Sequence, residues 1–236
     1  DEPRSVRIGD RDVAFLLKRS QKRRDLVMTV DQRGLIVSVP WRTSERRIAA
    51  FLQEHGRWIL RKLADWSRHP ARRSTWQSGD TLRFVGRELR LEVATAPQAA
   101  ARLLDDNRLL VELREPGSRD AVQEAVVKWY RRHAQAHFQE RLALLAPRLG
   151  VAVPRLFLSS ARTRWGSCNA RRQVRLNWRL VQATQATIDY VAVHELAHLV
   201  EMNHSPRFWD LVATACPDYR AACAELNHMG PYYMDI

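Results

Sequence analysis

His194 and His198 stand four residues apart, with Glu195 directly after the first. On an α-helix that spacing sets both imidazoles on one face, about 40° apart at roughly 100° per residue. Two imidazoles so placed can hold one metal ion, and the carboxylate beside them can take a proton from a metal-activated water. The other reading is two histidines satisfied by hydrogen bonds on an ordinary helix. His204 bears on the choice, because a catalytic metal usually has three protein ligands and one open position. Asn203-His204-Ser205-Pro206 reads as a corner between two helices, which lets His204 approach from the start of the second. Otherwise His204 is a turn residue with its ring in water. Three neutral imidazoles leave a dipositive ion uncompensated by protein charge, which favours acidification of its water. Zinc is the default for such a set, and nickel, cobalt or manganese would also bind.

These residues need a helix and a sheet to position them. The helix is expected to start at a Thr187 cap and run to about residue 201, with Ile188, Ala192, Leu196 and Leu199 away from the histidines. Ser205-Pro206 opens the next helix, to about residue 215. Upstream, 156–159, 163–168 and 173–177 read as strands, the last two joined by Asn169-Ala170-Arg171-Arg172. Ser118 caps a long helix to about residue 146, stopped by Pro147 and Gly150. Before it, 13–17, 26–30 and 35–39 read as strands, with Asp31-Gln32-Arg33-Gly34 as a turn. A helix follows from Thr43 or Ser44 to about residue 68, then a turn-rich basic connection over 69–80. Two hairpins come next, within 82–93 and 102–113. Pro116-Gly117 marks the expected division. Residues 1–117 form a strand-rich N-terminal domain with one helix, and 118–236 a domain of mixed sheet plus the histidine-bearing helix. The predicted class is α+β.

Four stretches carry a family resemblance. They are Thr163-Arg164-Trp165-Gly166-Ser167-Cys168, Val174-Arg175-Leu176-Asn177-Trp178-Arg179-Leu180, Ile188 through His198, and Asn203-His204-Ser205-Pro206-Arg207-Phe208-Trp209. Over about 155–220 the chain resembles the YgjP-like metallohydrolases, zincin-type proteins related to SprT-like and gluzincin peptidases. The resemblance implies a zincin-like domain, a zinc ion on His194, His198 and His204, and Glu195 as general base. It also implies a sheet whose edge strand borders the cleft. The chain departs from well-studied peptidase patterns: it has no downstream helical Glu motif for a third ligand and lacks the Gly of the extended metzincin motif.

Composition bounds the partners. Lys+Arg exceeds Asp+Glu by 39 − 26 = 13, and 35 of the 39 cations are Arg. A chain this basic attracts phosphates, acidic surfaces or acidic substrates. Cys168, Cys216 and Cys223 are too few and too scattered for a disulfide framework, and without a CxxC pair a cysteine zinc finger is excluded as well. No apolar run approaches the ~20 residues of a membrane span. No membrane contact is expected, and the cytoplasm is the expected location. Seven Arg and no acid lie between 155 and 179, whereas 190–236 holds two Arg and six acids. Alternation sends Arg175 and Asn177 to the face opposite Val174 and Leu176. Guanidinium groups there, with Arg164, suit a polyphosphate or nucleic-acid backbone; the other reading is a solvated basic face. Tyr190, one turn before His194, is a candidate to steady an oxyanion, or else a packing residue.

Three functions follow. The first is a zinc-dependent hydrolase of the metallopeptidase type, with a peptide substrate paired to the edge strand. The second is a nucleoside-triphosphate pyrophosphohydrolase with an Arg-rich phosphate cradle; the resemblance links this family to such activity, on UTP in particular. The third is a nucleic-acid-binding module with a structural zinc. Glu195 speaks against the third, because a structural site usually has four protein ligands and no use for a carboxylate beside the metal. The first is preferred, on fold analogy.

Overall fold

A computed structural model describes residues 2–31, 34–68 and 74–236. The chain divides into two compact units, Asp1–Arg72 and Arg73–Ile236. The architecture is α+β, as expected, with strand-rich sheets leading into helices. Among the described residues, no helix is long and apolar enough to cross a membrane.

The first unit is a four-stranded sheet followed by two helices. Strands β1 (Glu2–Ile8), β2 (Arg11–Ser20), β3 (Val27–Asp31) and β4 (Gly34–Pro40) lie in the order β1-β2-β4-β3, with β2 and β4 parallel. Alternation along β2 buries Val13, Phe15 and Leu17 against Leu35, Val37 and Val39 of β4. Strand β1 was not expected. Its residues show no regular alternation of apolar and polar types, and it forms an edge that is mostly exposed. The single helix expected to residue 68 is two, α1 (Glu45–Glu54) and α2 (Gly56–Arg68). Ser44 caps α1, accepting from Arg47 N at 3.3 Å. The break falls where Gly56 meets Ile8: a Cβ there would lie 2.6 Å from Ile8 Cγ2. Of the expected turn over 31–34 and the connection over 69–80, residues 32–33 and 69–73 lie outside the described residues.

The second unit holds two sheets and one continuous core. Strands β5 (Thr81–Phe84), β6 (Arg87–Thr95), β7 (Ala100–Asp105) and β8 (Arg108–Leu113) repeat the order of the first unit's sheet, β5-β6-β8-β7 with a parallel central pair. Helix α3 (Arg119–Leu145) follows. Strands β9 (Arg155–Ser159), β10 (Gly166–Cys168) and β11 (Gln173–Asn177) form the second sheet in the order β10-β11-β9, so β10 is an edge. Helices α4 (Gln185–Ala197), α5 (Pro206–Ala215) and α6 (Tyr219–Tyr233) complete the unit. The expected division at 117 falls inside this core. Val122, Val126, Trp129 and Tyr130 of α3 join Leu89, Leu91, Leu109 and Val111 to Val174, Leu176 and the residues of α4. The hydroxyl of Tyr130 also donates to Arg83 O at 2.6 Å.

Helix α4 is tied at its start and along its length. Thr184, not Thr187, is its cap, accepting from Thr187 N at 3.4 Å. Glu225 of α6 decides this, accepting from the hydroxyls of Thr184 and Thr187 at 2.5 and 2.7 Å. Arg141 of α3 grips Asp189 with two bonds, Nε to Oδ1 at 2.7 Å and Nη2 to Oδ2 at 2.9 Å. Both side chains are largely buried, so removing one leaves the other uncompensated. Arg141→Met is therefore expected to cost about 2–3 kcal/mol of folding stability, measured as a lower urea midpoint; an unchanged midpoint would show that the pair does not anchor α4.

Candidate metal centre

The last turn of α4 and the corner after it bring three imidazoles together. The ligand atoms of His194, His198 and His204 all lie within 4.8 Å of one another. The helix ends at Ala197 rather than near 201, with His198 as its C-cap. The chain then turns, and Ser205 caps α5 by accepting from Phe208 N at 3.3 Å, with Pro206 in the first turn. That corner carries His204 back to the helix it has just left.

The donor set suits a dipositive cation. His204 Nε2 and His194 Nε2 face each other at 3.1 Å. Two imidazole ligands about 2.0–2.1 Å from one tetrahedral ion stand roughly 3.3 Å apart. His198 Nδ1 lies 3.1 Å from Glu201 O. That carbonyl can only accept, so Nδ1 carries the proton and Nε2 is left with its lone pair. Burial first, then the His198 and His204 rings, pulls His194 down to about 4. Burial also lowers His198. Neutral imidazole is the form that ligates a metal. Below the three rings lies Phe208, fully buried, with its centroid 4.9, 4.6 and 4.8 Å from those of His194, His198 and His204.

Glu195 points into the protein beside this set. It is 5% exposed, and its Oε2 has no hydrogen-bond partner. Burial raises its pKa to about 8, against the pull of Arg164. Its neighbour is the edge strand: a Cβ on Gly166 would fall 2.6 Å from Glu195 Cγ and 2.7 Å from Cδ. Only glycine lets β10 approach so closely. Strand β10 runs antiparallel to β11, with Asn177 N bonded to Trp165 O at 2.7 Å and Asn169 N to Gln173 O at 3.2 Å. Trp165, Ser167 and Asn169 thus bond inward, and Gly166 and Cys168 turn their N–H and C=O to the open edge.

The expected substrate contacts separate. Arg164 stands two residues before Gly166 and pulls the Glu195 pKa down against burial. Arg175 lies opposite Val174 and Leu176, which pack towards α4, and stands 5.3 Å over Phe157 on the outer face of the sheet. Asn177 is fully buried and occupied. Its Nδ2 donates to Ala161 O and Arg164 O, and its Oδ1 accepts from Arg179 N. Tyr190 is 7% exposed, with its ring 6.0 Å from that of His194 and 6.3 Å from that of Tyr219, and burial and the Cys223 thiol push its pKa up. Sequence reasoning missed Gly166 and Phe208. Phe208 follows His204 by one helical turn, a spacing that signals a shared face.

Comparison with known proteins gives a match to one family model. The model described as YgjP-like, metallopeptidase domain, matches residues 24–229. No curated protein and no solved structure matches the chain.

Glu195 titrates at about 8 in the folded chain and at 4.5 in an unfolded one, so the folded state binds its proton more tightly. Without metal, stability is therefore lost as pH rises from 4.5 through 8. Glu195→Gln removes that loss. The metal-free variant is expected to match the parent near pH 4.5 and to exceed it at pH 8.5 by on the order of a few kcal/mol, read from denaturant melts under chelator. Parallel pH profiles for the two proteins would remove burial as the cause.

Proposed function

Given that the chain belongs to the YgjP-like family of metallopeptidase domains, we propose that it is a zinc-dependent peptidase acting on extended, unfolded segments. His194, His198 and His204 hold the zinc, and Glu195 is the general base. The bound cation supplies Lewis acidity, polarising the scissile carbonyl and lowering the pKa of water.

The observation that carries the reading is the open edge of β10 beside Glu195. A peptide laid along that edge bonds to the N–H and C=O groups of Gly166 and Cys168 as an added strand. Its backbone then runs past Glu195, because Gly166 touches that carboxylate. Glu195 takes a proton from the attacking water at its unpartnered Oε2 and returns it to the leaving amine. Burial suits it to this exchange, since a base poised near neutrality both accepts and releases a proton. Phe208 keeps water from the underside of the imidazoles. Arg164, exposed and lowering the Glu195 pKa, steadies negative charge that develops on the substrate in this reading.

The nucleoside-triphosphate reading has one support, Arg164. Arg175 stands over Phe157 on the other face of the sheet, and the Asn177 amide is taken up by main-chain groups. Zinc-loaded protein incubated with a reduced, unfolded protein and with UTP is expected to release peptides and leave UTP intact. Pyrophosphate release without proteolysis would replace the first reading with the second. Glu195→Gln should keep its zinc and lose about 10²–10⁴-fold in rate, whereas His204→Ala should lose zinc as well. Gly166→Ala tests the edge itself. Its methyl group must displace Glu195, so turnover is expected to fall with zinc retained; full activity would show that the carboxylate does not need this contact.

A further inference from the structure

Strands β2 and β4 run parallel, and their register ends with Ser20 opposite Pro40. The chain therefore leaves both strands at the same end of the first unit's sheet. Strand β3 starts there too, since Val27 pairs with Ser38. Segments 21–26 and 41–44 are thus neighbours, and Trp41 N donates to Ser20 O at 3.2 Å. Arg19 fixes this corner. Its Nη1 donates to Trp41 O at 3.3 Å and to Thr43 O at 2.7 Å, and its Nη2 to Glu45 Oε1 at 2.6 Å. The main chain of Trp41 is held on both sides while the residue itself is 58% exposed. Tryptophan is a highly buried type on average, so a ring left in water on a fixed corner stands out from the rest of the unit.

The same end of the sheet is strongly basic. Segments 20–26 and 41–47 carry six cations, Lys22, Arg23, Arg24, Arg42, Arg46 and Arg47, all exposed. They carry two acids, Asp25 and Glu45, and Glu45 is taken by Arg19. Glu2, at the adjoining end of β1, is paired with Arg4. Among the described residues, none of the six cations is in an ion pair. Arg46 and Arg47 also stand in the first turn of α1, where the positive end of the helix favours acidic side chains. Like charges gathered in this way work against the folded unit, and a polyanion laid over them removes the repulsion.

We propose that this end of the first unit binds single-stranded nucleic acid. The cations take successive backbone phosphates, and a base stacks on the Trp41 ring. An acidic protein surface supplies the charge without flat rings, and a duplex keeps its base faces stacked inside. A single strand offers both at once. Every residue invoked belongs to the first unit, so the assignment does not depend on which bond the metal centre cleaves.

Fluorescence anisotropy of the full chain with a labelled oligothymidylate tests it, with unlabelled oligothymidylate, a duplex of the same length and phosphatidylserine vesicles as competitors. The unlabelled single strand is expected to displace the label at a lower phosphate concentration than either other competitor. The logarithm of the affinity should fall linearly with the logarithm of the salt concentration, by about 0.7 for each phosphate contacted. Trp41→Ala is expected to weaken binding about tenfold with the salt slope unchanged, and Trp41→Phe to keep most of the affinity. Lys22→Ala, Arg23→Ala and Arg24→Ala combined should reduce the slope by about 2. All four positions are exposed, so unfolding midpoints should stay close to the parent's. His204→Ala should bind as the parent does, since it alters only the second unit. No binding of the oligothymidylate, equal displacement by duplex or vesicles, unchanged affinity in Trp41→Ala, an unchanged slope in the triple variant, or loss of binding in His204→Ala would each overturn the proposal.

Discussion

Helix α4 must be buried on nearly every side and still end in polar groups. Nine of its thirteen residues are buried, Glu195 among them. A helix in that position cannot leave backbone or carboxylate groups unpaired without cost. Each polar group away from the centre is therefore matched: Asp189 by Arg141 and Gln185, Thr184 and Thr187 by Glu225. The exceptions fall at its C-terminal end, where Glu195 Oε2 and His194 Nδ1 are buried without partners. Unpaired polar atoms concentrated at one end of an otherwise satisfied helix mark where chemistry, rather than stability, set the residue types.

The metal centre was the most legible feature of the sequence, because its geometry is local. Two ligands and the carboxylate sit within one turn, and the Ser205-Pro206 signal places the third at a corner. Features set by distant partners were not legible. Thr184 and Thr187 are both good caps, and the choice between them rests on Glu225, some forty residues on. Alternation correctly set Arg175 apart from Val174 and Leu176. It does not show which face of the sheet looks towards α4, and that face is the one that carries Val174 and Leu176. Asn177 looked outward by the same alternation, but the 161–164 carbonyls draw it inside. Helix α6 gave no clear expectation, and its residues supply the Glu225 brace and the Tyr233 carbonyl that holds Gln182.

The division of the chain shows the same limit. Pro116-Gly117 is a strong break in the local pattern, and the structure does turn there before α3. A break in pattern is not a break in the core, however. Helix α3 is long enough, at 27 residues, to pack on the sheet before it and on the sheet after it. The seven Arg of 155–179 are likewise one block in sequence and several sites in space. Arg155 and Arg175 flank Phe157, Arg162 and Arg179 repel each other, and Arg164 acts on Glu195.

Phe208 touches all three imidazoles at nearly equal distances, 4.6–4.9 Å between ring centroids. Among the three, only His198 has its second nitrogen hydrogen-bonded to the main chain. Aromatic packing thus fixes the tilt of the rings, with Phe208 against all three and Trp209 against His194 and His204 at 6.0 Å. Rings ordered by core packing and by a main-chain hydrogen bond consume less binding free energy in being oriented for a cation.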